Sequence, residues 1–249
     1  MLGLRVRTNA MQLRVGWRYL VAFAALTILC GTSHEFAHHF AGALVCGEFG
    51  SKTFNSFTLA PGCESSAWRA WPTIAGPLFT FALMWLGAVR LRNPDERQRQ
   101  LGFALVFANF PINRMGFVLF GWNDEQWVAR HEFGASPVAF WLAVAAVWIA
   151  CLPPLIAAWR AIENRRRALW FAGFFVLPFV FVVLFAGGFL EEFVLLRHRI
   201  LADTVFGVPW LIIAVEFLSL AVYLSLREAI AEAANDADVH AGAALAVRH

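Results

Sequence analysis

The sequence predicts an all-α polytopic membrane protein with about six transmembrane helices, and three observations carry that prediction. Hydrophobic residues fill 60% of the 249 positions and charged residues 15%, whereas a soluble domain carries about 45–50% and about 25%. The apolar residues fall into six stretches, each near the roughly 20 residues needed to cross a ~30 Å hydrocarbon core. Basic residues are unevenly shared among the segments between those stretches, as topology signals are. This composition excludes a cytosolic enzyme, a secreted disulfide scaffold and a disordered regulator. It also speaks against a nucleic-acid partner: the chain has 19 Arg and a single Lys, no run longer than Arg165-Arg166-Arg167, and no Gly-rich phosphate loop.

Taken in order, the spans are expected at about 18–46, 70–90, 101–121, 137–159, 168–190 and 205–226. The first is overlong, so its start is expected to lie in the interface as part of the amphipathic 1–18 segment. It is long enough to span and has no small-residue cleavage site behind it, so it is read as retained. Turn and break residues (Asn93-Pro94, Gly134, Asn164, Asp203) separate the later spans. Between the first two spans, Gly47 to Gly62 alternates polar residues with Phe54, Phe57 and Leu59 and breaks at Pro61-Gly62, a strand or hairpin signal. No repeat and no second domain is visible: residues 1–227 form one transmembrane domain, and the Ala-rich stretch 228–249 is expected to be a soluble, flexible tail. Segments 1–18, 90–100, 160–167 and 227–249 together hold 14 Lys and Arg, against 5 in 47–69, 122–135 and 191–204. The positive-inside rule then predicts a multi-pass protein with both termini cytoplasmic.

Ionisable groups inside a span are costly and mark function by default. They are His34, Glu35, His38 and His39 in span 1, Arg114 in span 3 and Glu216 in span 6. His34-Glu35-Phe36-Ala37-His38 is an HExxH pattern. It sets two imidazoles one helical turn apart on one face, where both can grip Zn²⁺ while the Glu reaches the metal's water. Zinc sites with an open position take three protein ligands. Spans 1 and 3 run the same way, and Asp124 and Glu125 follow the outer end of span 3, on the side toward which the His pair lies. Asp124 is therefore the expected third ligand, with Glu125, Glu48, His39 and Glu216 as competitors. The four cysteines show no CxxC spacing. Cys30 reads as a small packed side chain, and Cys46 and Cys63 flank the outer loop, where pairing stays open.

With these residues in view, the chain resembles the site-2 protease family of intramembrane zinc metalloproteases. The likeness rests on HExxH within a membrane helix followed by Ala41 and Gly42, on Ala75-Gly76-Pro77 in span 2, and on Asn109-Phe110-Pro111 in span 3. It covers about residues 20–125. Two positions depart from the family pattern: Thr80 stands where an Asn is usual, and Asp124 comes thirteen residues after Pro111. The resemblance implies a membrane-associated β-hairpin over Gly47 to Gly62 and a membrane-protein or transmembrane-peptide substrate hydrolysed within the lipid bilayer. The expected roles are Zn²⁺ on His34, His38 and Asp124, Glu35 as general base, and Asn113 and Arg114 as donors to the oxyanion. For Arg114 a salt bridge with Glu216 is the competing expectation. The alternative function is non-proteolytic: a metal or proton transporter, or an inactive protease-like scaffold, using the same His cluster.

Overall fold

The computed structural model describes residues 11–63 and 68–231. It is an all-α polytopic membrane protein with six helical segments long and apolar enough to cross a membrane: Trp17–Cys46, Ala70–Arg90, Glu96–Phe133, Pro137–Ala161, Arg167–Arg197 and Trp210–Ala231. The first, α1 (Trp17–Cys46), runs 30 residues, about 45 Å at 1.5 Å per residue. It ends at Gly47, and α2 (Ala70–Arg90) returns beside it.

The third segment is where the structure departs most from one helix over 101–121. It comprises α3 (Glu96–Ala108), α4 (Pro111–Phe120) and α5 (Asp124–Phe133). Pro111 has no N–H to continue α3 and is suited instead to the first turn of a new helix, so α3 stops and α4 starts with Pro111. The junction residue Phe110 takes a positive φ of 33°. α4 then closes at Gly121, whose φ of 74° a side chain would resist. Asn123 caps α5 by accepting from the Gln126 amide. A helix broken at membrane depth is tolerated where the break lines a cavity, and this one does.

The rest follows expectation with shifted ends. α6 is Pro137–Ala161, and the fifth span continues from α7 (Arg167–Phe181) into a π-helix, Val182–Arg197. Glu191 is therefore helical rather than part of a loop. Residues 204–209, of which 205–209 are expected at the start of the sixth span, form instead a two-stranded antiparallel ladder, β1 (Thr204–Val205) and β2 (Val208–Pro209). α8 (Trp210–Ala231) follows against α1. Residues 228–231, expected to open the tail, belong to α8; 232–249 and 1–10 lie outside the described residues. After α1 there is one isolated antiparallel bridge, Lys52 to Phe57, closed by Thr53 N–H to Ser56 O and Thr58 N–H to Ser51 O, each 2.8 Å. The expected hairpin is thus reduced to a tight loop. Cys46 and Cys63 are disulfide-bonded across its base.

Two apolar clusters hold this frame. Tyr19, Phe23, Phe103 and Phe174 interlock α1, α3 and α7, with ring centroids 5.0–6.1 Å apart, a spacing at which aromatic pairs add to the burial energy. Phe54 anchors the hairpin loop among Leu190, Leu195, Val208, Leu211 and Ile212.

Candidate metal centre

Helical periodicity stacks His34 and His38 on one face of α1, and their Nε2 atoms stand 3.0 Å apart. Both rings are buried. Each uses its other nitrogen for orientation. His38 Nδ1 donates to the Pro72 carbonyl at 2.7 Å. A carbonyl only accepts, so His38 turns an Nε2 lone pair inward. His34 Nδ1 meets the Thr80 hydroxyl at 2.9 Å. Such outer partners fix ring tautomer and tilt in metal sites.

The break between α4 and α5 brings Asp124 to these nitrogens. Its Oδ2 lies 3.5 Å from His34 Nε2 and 3.6 Å from His38 Nε2. A tetrahedral ion with ligands near 2.0–2.1 Å has ligand–ligand edges of about 3.3 Å, so a triangle of 3.0, 3.5 and 3.6 Å fits one divalent ion with a corner left open. Glu35 belongs to the same group, its carboxylate within 4.8 Å of both histidine donors. It lines a cavity of about 580 Å³ shared with His34, His38, Asn113, Arg114 and Asp124. The rings fit only because α2 presents Gly76: a Cβ there would overlap His38 Nε2 and sit 2.6 Å from His34 Cε1.

Arg114, buried on α4, donates to Asp124 Oδ2 at 2.9 Å and touches both ring nitrogens of His34. Its second carboxylate neighbour is buried Glu125, 3.6 Å away. The expected pairing of Arg114 with Glu216 does not occur; Glu216 keeps a buried carboxylate oxygen with no hydrogen-bond partner among the described residues. Of the competing third-ligand candidates, Glu48 is exposed beyond the end of α1, His39 Nε2 donates to the Phe206 carbonyl at 2.9 Å, and Glu125 is buried with neither carboxylate oxygen hydrogen-bonded among the described residues. Cys30 is buried and free, as its packing role predicts.

Sequence reasoning missed four participants. Thr80 and the Pro72 carbonyl orient the rings. Phe57 stacks on His38, centroids 4.3 Å apart and 8° from parallel. Lys52, the chain's single lysine, is 1% exposed. It places Nζ 4.2 Å from the centre of the Phe36 ring and donates to Thr53 O. Burial pushes its pKa down to about 8, against the opposing pull of Glu35, Glu216 and Glu191. Thr80 had a signal, lying one turn after Gly76 on the same face of α2; Lys52 had none.

No protein-family model, no curated protein and no solved structure matches the chain.

Proposed function

We propose that the chain is an intramembrane zinc metalloprotease, an endopeptidase that cuts a peptide bond of a membrane-protein substrate. The observation that supports this best is the triangle of His34 Nε2, His38 Nε2 and Asp124 Oδ2 with Glu35 beside it at the wall of a membrane-embedded cavity. Zinc held by those three atoms would supply an acidified water, its pKa lowered toward about 7, and positive charge for the oxyanion. Glu35 takes the proton of the attacking water and passes it to the leaving amine. Arg114 holds Asp124 in place, and its guanidinium with the Asn113 amide at the cavity wall offers donors to the carbonyl oxygen. Asn55, Ser56 and Phe57 line the same cavity. Their backbone offers an edge on which an unwound substrate segment pairs as an added strand.

Orientation belongs to the same proposal. The basic residues favour cytoplasmic termini, and the Cys46–Cys63 disulfide suits a loop on the oxidising side.

One observation favours the non-proteolytic alternative. Arg114 already neutralises Asp124 and touches His34, so the polar network is paired without an ion. Two measurements, one on purified protein and one in cells, separate the readings. The protease reading expects about one zinc per chain, lost in His34→Ala. It also expects membrane proteins that accumulate in cells carrying Glu35→Gln although that variant keeps its metal. Zinc-free folded protein that takes up none on reconstitution ends it.

A further inference from the structure

Away from the metal cluster, α1 and α7 leave a second cavity, a groove of about 610 Å³. Leu20, Phe23 and Ala24 line it from α1, and Trp170, Gly173 and Leu177 from α7. Leu20 is 54% and Leu177 65% exposed, so the groove opens sideways, where the acyl chains of a bilayer lie. Phe174 at its floor is held in the aromatic cluster that joins α1, α3 and α7.

The groove follows α7 from Arg166 to Phe181, about 22 Å at 1.5 Å per residue, long enough for a hydrocarbon chain to lie along it. Its charge is selective. Arg166 stands at the mouth, Arg14 precedes the lining residue Val15, and Arg165 precedes Arg166. Asn164 ties the two segments, its side chain bonding Leu13 N–H and C=O. No ion pair among the described residues involves these three arginines, and no carboxylate lines the groove. α7 starts here without a side-chain cap, and the N-terminus of a helix favours an anion.

We propose that this groove is a binding site for an anionic phospholipid of the arginine-rich leaflet. One acyl chain lies along Gly173 and Ala24, and the phosphate is held by Arg166, its neighbouring arginines and the first turn of α7. The site is independent of the metal cluster and stands whether or not the chain is a protease.

The test uses the full chain in nanodiscs doped with phosphatidylglycerol or phosphatidylcholine probes bearing the same photoreactive acyl chain, with cross-links mapped by mass spectrometry. Labelling of residues 15–27 and 166–181 is expected to favour phosphatidylglycerol about fivefold, the ratio given by roughly 1 kcal/mol for one arginine near an anionic headgroup. Arg14→Gln/Arg165→Gln/Arg166→Gln should equalise the probes. A Cβ at Gly173 meets only Leu177 Cδ1, at 3.9 Å, so Gly173→Leu fills the groove and should suppress labelling by both. Equal labelling by the two probes in the wild-type chain, which needs no variant to fold, overturns the anionic site. Undiminished labelling in folded Gly173→Leu overturns the placement of the chain.

Discussion

Asp124 Oδ2 lies 3.6 Å from His38 Nε2 although 86 positions separate the residues. The juxtaposition depends on α4 ending at Gly121 and α5 starting with Asp124, where the carboxylate also gains from the helix N-terminus. If this is a ligand pair, Asp124→Ala should abolish stoichiometric zinc, while Thr80→Ala, which only frees the His34 ring, should weaken affinity by about 10–100-fold. Chelator competition on purified protein measures both. Equal zinc affinity in Asp124→Ala and wild type removes Asp124 from the ligand set.

Arg114 is buried between the carboxylates of Asp124 and buried Glu125, and truncating it leaves both uncompensated, at a cost of about 3–5 kcal/mol. Arg114→Gln should therefore lower the thermal midpoint in detergent sharply. Arg114→Gln/Glu125→Gln should recover only part of the loss, because Asp124 still lacks its partner. A double variant as unstable as the sum of the singles would show that the two groups are not coupled.

Gly76→Ala tests the close approach of α2 to α1. In an open helix this change stabilises by about 1 kcal/mol. Here the new methyl would overlap the His38 ring, so the sign should reverse, with loss of both stability and zinc. A stabilised variant that keeps its metal would place the rings elsewhere.

The contrast between His38 and Asp124 shows what was legible in the sequence. Two histidines one turn apart share a face in any helix, so the core of the cluster follows from local periodicity alone. Asp124 reaches it only through the breaks at Phe110 and Gly121, and the run 101–121 reads as one span because its hydropathy is continuous across them. Pro111 marked the first break; nothing local told how far α5 would fold back. Spans were legible because lipid demands long apolar helices. The 204–209 ladder was not, since short strands carry little pattern. Lys52 reads differently by its charge: in a loop between spans a lysine is a topology marker, yet the fold buries it against Phe36.

The Cys46–Cys63 disulfide closes a segment of 17 positions, worth about 3 kcal/mol in the chain-entropy account. Cys46→Ser/Cys63→Ser should lower stability by about that amount and loosen Phe57 from His38. The bond also reports orientation. On intact cells an impermeant maleimide should label the two thiols only after reduction, since the loop is expected outside. Labelling confined to opened membranes would invert the proposed topology.

Lys52 gives the clearest pH signature, because one lysine yields one resonance in lysine-labelled protein. Burial lowers its pKa from 10.5 to about 8, so between those values the unfolded chain holds a proton that the folded chain has released. Stability should thus rise as pH climbs from about 8 to about 10.5, and this increment is lost as pH falls through 8. The same burial predicts a ¹³Cε titration midpoint near 8. A midpoint near 10.5 would mean a solvated ammonium, incompatible with Nζ seated over Phe36. Lys52→Met, apolar and of similar length, should raise stability below pH 8 and flatten the profile above it, because it removes the desolvated charge and leaves the packing on Phe36.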